Sequence, residues 1–186
     1  MFLINKKGNW WLAHDKLSMK QILIFMNKNE LAPTGGPIGY CYNIYTEITK
    51  SNITNIHFLE TKLAKPKKNK EKKIPLKRIF KLFSYNAFKW HRILFKKNNN
   101  IVDLEYLNKF DIIHFHSTLD LYECRDIIKL YKGKIILTSH SPIPLHQEIK
   151  MERLNKLDLL LFKKLYNKLE IIDEYAFNNA DYIMFP

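Results

Sequence analysis

The chain has 186 residues, 46% of them hydrophobic, and a formal net charge of +13. That length and apolar content suffice for one packed core and exclude a disordered chain. Two cysteines, Cys41 and Cys124, are too few for a disulfide framework or a cysteine-built zinc site and read as free thiols in a reducing compartment.

Residues 1–18, "MFLINKKGNWWLAHDKLS", lack the continuous apolar stretch of a signal peptide and read as an extension ahead of the natural opening of an α/β protein, the run "MKQILIFMN" from Met19. Short apolar runs that suit buried strands then recur at Ile22–Met26, Ile56–Leu59, Ile112–Phe115, Ile135–Thr138 and Tyr182–Phe185. Helical stretches separate them. "IGYCYNIYTEITK" sets Ile38, Tyr42, Tyr45 and Ile48 near helical spacing, and "LDLYECRDIIKLY" does the same with Leu121, Cys124, Ile128 and Tyr131 before "KG" closes that helix. Gln147 to Asn179 reads as a long helical stretch broken near Lys168. The alternation predicts an α/β fold over residues 19–186, a Rossmann-like parallel sheet with crossover helices. No apolar run approaches the roughly 18–20 residues that span a bilayer, so the expected location is cytoplasmic.

The charge is concentrated. Between Thr61 and Lys97, fourteen Lys or Arg stand against the single acid Glu71, and the remainder of the chain is close to neutral. "KLAKPKKNKEKKIPLK" reads as a solvated loop. Charge confined to one segment, without an RNA- or DNA-reading motif beside it, argues against a nucleic-acid partner. Further on, "PLKRIFKLFSYNAFKWHRILFKK" sets Leu76, Ile79, Phe80, Phe83, Ala87, Trp90 and Leu94 near one helical face, ringed by basic residues. Such a helix suits two roles. It packs on the sheet with its lysines outward, or it lies in an anionic membrane interface through Lys77, Arg78, Lys81 and Trp90.

Three of the five glycines and two of the seven prolines fall within Pro33–Gly39, "PTGGPIG", soon after the best strand candidate. In an open α/β sheet, ligands bind beyond the carboxyl ends of the strands, where a glycine-rich first turn lets backbone amides approach a phosphate. Gly35, Gly36 and Gly39 stand at that place. Their spacing is neither the dinucleotide fingerprint nor a Walker loop, and a Pro-Gly loop without ligand fits it equally. "FDIIHFHS" puts His114 and His116 on one face of a strand with Ser117 at its carboxyl end, and "IILTSHSPIPLH" ends another strand with His140 at its tip. Two strand-end clusters facing one glycine turn point to a ligand cleft.

In order and separation, "PTGGPIGYCYNI", "FDIIHFHS", "LTSHSP" and "AFNNADYIMFP" resemble the N-terminal Rossmann-like lobe of the family 4, GT-B fold glycosyltransferases, over about Met19 to Pro186. The resemblance implies transfer of a sugar from a nucleotide-sugar donor to a glycan or lipid-linked acceptor, with retention of configuration and no obligatory metal or other cofactor. It implies that Gly35, Gly36 and Gly39 approach the donor diphosphate or the acceptor, that His140 contacts the donor sugar, and that His116 and Ser117 line the acceptor side; His114 is left to the core. The family's C-terminal lobe, with its nucleotide-gripping glutamates, has no counterpart in these residues. The implied molecule is therefore a half enzyme or a truncated product, inactive unless such a lobe is supplied on a separate or continued chain. A lipid-linked acceptor would place it peripherally at the inner face of the membrane. A non-catalytic carbohydrate- or partner-binding lobe is the alternative.

Overall fold

A computed structural model describes residues 2–5, 10–12, 20–26, 30–33, 35–59, 62–63, 94, 102–141, 143–151 and 163–185. Its strands are β1 (Phe2–Asn5), β2 (Trp10–Leu12), β3 (Ile22–Phe25), β4 (Glu30–Leu31), β5 (Ile56–Phe58), β6 (Lys62–Leu63), β7 (Ile112–Phe115), β8 (Lys134–Thr138) and β9 (Tyr182–Met184). Its helices are α1 (Gly36–Lys50), α2 (Leu104–Leu107), α3 (Thr118–Glu123), α4 (Arg125–Ile128), α5 (Leu145–Met151) and α6 (Lys163–Asn179).

The five apolar runs are the five parallel strands of the main sheet, adjacent in the order β5-β3-β7-β8-β9. Isoleucine-rich runs of this length, bounded by polar residues, bury both faces only between two layers of helix, and that is how they sit. Leu23, Phe25, Ile113, Phe115, Ile135 and Leu137 face a layer that includes Leu107, Leu121, Ile128 and Ala176 from α2, α3, α4 and α6. Ile24 and Met26 face the other way, onto Cys41 of α1. Fully buried side chains of this size contribute about 1.5–3 kcal/mol each relative to exposure, so the alternating strand pattern and the two helix layers stabilise each other. The α/β, Rossmann-like expectation holds.

Chain order sets where a cleft can form. From β3 the chain goes outward to β5, then returns past β3 to β7, so the connections leaving β3 and β7 run to opposite faces of the sheet: α1 lies on one face and α3 on the other. In an open sheet of this kind the switch point, here at the carboxyl ends of β3 and β7, is where a ligand crevice is expected.

At the opposite, amino-terminal edge, two aspartates hold the strand starts. Asp111, one residue before β7, accepts from the backbone N–H of Gln21 at 2.9 Å and from Lys20 Nζ at 3.2 Å. Asp181, one residue before β9, accepts from the Ile135 N–H at 2.9 Å and from Lys134 Nζ at 3.0 Å. The Gln21 amide and then Lys20 lower the Asp111 pKa below the usual carboxylate value. Gly133 lies at the same edge, where a Cβ would run into the Tyr131 ring and the Asp111 carbonyl oxygen.

Four local expectations change. The residues read as an N-terminal extension supply β1 and β2, which add antiparallel strands to β9 and extend the main sheet to seven strands; the parallel edge at β9 gives them a partner that the local sequence does not reveal. The helix over "LDLYECRDIIKLY" divides into α3 and α4 at Cys124, whose backbone, at φ −86° and ψ 5°, departs from the helix. Gly133 does not cap that helix; it serves the close approach just described. Helix α6 runs unbroken through Lys168, because Leu165, Leu169, Ile172 and Ala176 keep one continuous buried face. The position of Lys168 is supported by a bond from its Nζ to the Leu94 carbonyl at 3.4 Å.

Candidate functional site

The glycine turn becomes the start of α1. Gly35 is the N-cap with φ −70° and no side-chain capping bond, Gly36 takes φ +71°, Pro37 follows in the first turn, and Gly39 is buried in that turn. A φ of +71° is a left-handed conformation that other residues adopt at a cost. Pro37 suits the beginning of a helix because its missing N–H has no intrahelical partner there. No acidic residue occupies the first turn of α1. A Cβ built at Gly35 or Gly36 would meet nothing within 4 Å, so the exposed amide end of this 15-residue helix is open to approach. Backbone amides and helix dipole favour an anion there.

The strand ends bring the histidines together. His114 lies on the same face of the sheet as Ile24, its register partner on β3. One step of alternation carries that face to His116, and the rings of His114 and His116 are 4.2 Å apart. His114 Nε2 is hydrogen-bonded to Thr138 Oγ1 at 2.6 Å, and His116 Nδ1 to His140 Nε2 at 3.1 Å. His116 is 3% exposed, and among the described residues its Nε2 has no hydrogen-bond partner. Burial, then the neighbouring histidines, lowers the His116 pKa to about 2. Burial, then His140, lowers that of His114 to about 4, and burial lowers that of His140. These rings are neutral at neutral pH.

Tyr40 joins the turn to the histidines. One helical turn after Gly36, its ring lies 5.6 Å from that of His116 and 5.3 Å from that of His140. The glycine turn, His116 and His140 therefore belong to one end of the sheet, as the sequence predicts. His114 sits deeper, held to Thr138. Ser117 is the N-cap of α3, where its side chain makes no capping bond. Lys77, Arg78, Lys81 and Trp90 lie outside the described residues. Leu94, from the same apolar stripe, packs among Leu165, Tyr166, Leu169 and Ile172 of α6.

Two features went unnoticed in the sequence. Tyr40 is one. The other is Asp173 on α6, 1% exposed, which accepts from Thr118 Oγ1 at 2.8 Å and from both the backbone N–H and Nδ1 of His146 at 2.9 Å. It ties α3, α5 and α6 together two residues beyond His116. An acid at position 173 shares the apolar face of Leu169, Ile172 and Ala176, and that placement was the available signal.

Other chemistry is limited by burial. Cys41 and Cys124 are buried free thiols whose pKa values are pushed up to about 12, by burial first and then by Asp120, so neither is a thiolate nucleophile at neutral pH. Among the described residues no group of three or more His, Cys, Asp or Glu is placed to hold a metal ion, and no helix is long and apolar enough to cross a membrane. A cavity of about 610 Å³ lies between the C-terminal half of α1, β5 and Tyr106, and no histidine of the cluster lines it. Among the described residues its walls carry one imidazole, His57, and the phenols of Tyr45 and Tyr106, whereas the carboxyl end of the sheet gathers three imidazoles. Compared with known protein families and with curated proteins, the chain matches none of them.

Proposed function

We propose that this domain is the acceptor-side lobe of a retaining glycosyltransferase, which brings a nucleotide sugar and a glycan or lipid-linked acceptor together at the histidine end of its sheet. The observation that carries this reading is that the Tyr40 ring lies against both His116 and His140, so an uncapped helix N-terminus and a set of neutral imidazoles share one end of the sheet. The two halves suit the two halves of a sugar nucleotide. Amides at Gly35 and Gly36 suit phosphate oxygens, and neutral hydrogen-bonding rings suit sugar hydroxyls. Donors of this kind act by stabilising the departing diphosphate and positioning the sugar.

The test is a titration of the isotope-labelled chain with sugar nucleotides and with the matching nucleoside diphosphates. Resonance shifts are expected at Gly35, Gly36, Tyr40, His116 and His140. His140→Ala is expected to weaken the sugar nucleotide about tenfold while leaving the nucleoside diphosphate nearly unchanged. Absence of binding by every donor, or shifts confined to the cavity beside β5, overturns the reading.

The depressed pKa values of His114 and His116 favour a second reading, because rings held neutral in a dry site hold a ligand more readily than they exchange protons with it. The domain would then bind carbohydrate without turnover. Binding of free glycan by the same residues, with no response to any nucleotide, distinguishes that case.

A further inference from the structure

We propose that His116 is a positioning residue that sets the tautomer of His140: its Nδ1–H donates to His140 Nε2, and His140 therefore meets a ligand as an Nδ1–H donor. The ligand identity rests on the function proposed above; the tautomer assignment does not.

The argument begins with one short contact. His116 Nδ1 and His140 Nε2 are 3.1 Å apart, so one nitrogen carries the proton and the other accepts it. Both rings are neutral, each with a single N–H. If His140 donated, the proton of His116 would sit on Nε2, which is buried and has no partner among the described residues. A buried N–H without an acceptor is the rarer and costlier outcome, whereas a bare lone pair against rings is better tolerated. The other arrangement puts the His116 proton on Nδ1, where it has a partner. His140 Nε2 is then an acceptor, and the His140 proton is on Nδ1.

The surroundings hold His116 in this orientation. Its ring lies 4.2 Å from that of His114, which is turned away to Thr138, and Tyr40 covers it from α1. No described carboxylate or cation is bonded to either ring of the pair. His140 is half-buried, so its Nδ1–H is the group of the pair left to face a ligand oxygen. A sugar hydroxyl and a phosphate oxygen both supply such an oxygen. A ligand that offers only a hydrogen-bond donor at this point is rejected, because it meets N–H with N–H.

The experiment reads imidazole nitrogen shifts and long-range proton–nitrogen couplings in the ligand-free chain, which separate the two neutral tautomers without any activity. Wild type is expected to show His140 as the Nδ1–H form by about tenfold. In His116→Phe the Nε2–H form of His140 is expected to become the major one. His116→Asn, whose side-chain amide can donate from nearly the same place, is expected to restore the wild-type form; a merely structural role for His116 predicts no such rescue. A wild-type His140 protonated on Nε2, or a His140 tautomer indifferent to both substitutions, overturns the proposal. If His116→Phe does not fold, His116→Leu, which likewise removes the donor, takes its place, and the wild-type tautomer still tests the assignment. A second arm adds inorganic phosphate or a methyl glycoside to the wild-type chain and reads which of them shifts the His140 Nδ1–H. Failure of every sugar nucleotide to bind would remove the functional reading and leave the tautomer result standing.

Discussion

Asp173 and His146 are joined twice: one carboxylate oxygen of Asp173 accepts from both the backbone N–H and the Nδ1–H of His146, each at 2.9 Å. With Thr118 on the other oxygen, a carboxyl group 1% exposed holds the starts of α3 and α5 against α6. Asp173→Asn keeps one acceptor for the two His146 N–H groups but turns its N–H₂ to Thr118, whose hydroxyl must then accept instead of donate, and the charge that strengthens all three bonds is lost. It is expected to destabilise the fold by about 2–4 kcal/mol in urea unfolding. His146→Ala leaves the backbone bond and is expected to cost only about 1 kcal/mol. Equal losses for the two variants would contradict the central place given to Asp173.

Acid should weaken the fold through the buried histidines. Both are held neutral in the native state, His114 down to about pH 4 and His116 to about 2, while in the unfolded chain each protonates near 6.5. Between those limits the unfolded state binds more protons, so stability is complete above about 6.5 and declines as pH falls. Each ring contributes a slope of up to about 1.4 kcal/mol per pH unit in that window. Urea unfolding from pH 7 to 4.5 is expected to show a slope that His116→Asn reduces by about one proton. An unchanged slope would mean that His116 already takes up a proton in the folded protein.

The two glycines at the start of α1 should respond differently to alanine. Gly36 has φ +71°, so Gly36→Ala is expected to cost about 1–2 kcal/mol. Gly35 has φ −70° and an open Cβ position, so Gly35→Ala is expected to leave stability within about 0.5 kcal/mol of wild type. Any loss of nucleotide binding in Gly35→Ala then reports on approach to the helix end and not on folding. Thermal unfolding of the pair checks the contrast.

Leu94 decides part of the question about the basic segment. It is buried against α6, so Leu94→Ala is expected to destabilise the fold by about 2–4 kcal/mol and to leave vesicle binding unaffected. Charge reversal at Lys77, Arg78 and Lys81 is the complementary variant. Co-sedimentation with anionic vesicles, expected to fall with that reversal and with added salt, tests the membrane role. Equal binding to neutral and anionic vesicles would return the segment to an ordinary crossover element.

Much of this fold is legible in the sequence because each central strand is a short apolar run that stands apart from its polar flanks. The shared face of His114 and His116 follows from alternation alone, and the glycine turn from its composition. What escapes needs a distant partner. β1 is defined by β9, on the far side of the sequence, and Tyr40 looks like one more apolar position of α1 until the ends of β7 and β8 are set beside it. The supposed break at Lys168 shows the same limit: a charged residue within a helix reads as an interruption when the buried stripe on its other side is given too little weight. Whether His116 donates or accepts is likewise beyond a sequence, since it depends on which ring nitrogen is left in the dry interior.

The aspartates at the strand starts act as fixed marks from which the site is measured. Asp111 is pinned to the beginning of β3, and His116 stands five residues downstream of it, so the place of the imidazole is counted out along rigid extended chain. One residue inserted or removed within that interval would displace His116 by about 3.3 Å and turn it toward the opposite layer. Beyond the rings the count is fixed as well: only Ser117 stands between His116 and α3, and Asp173 holds both Thr118 and His146. A change of length on either side of His116 would take its ring out of reach of His140.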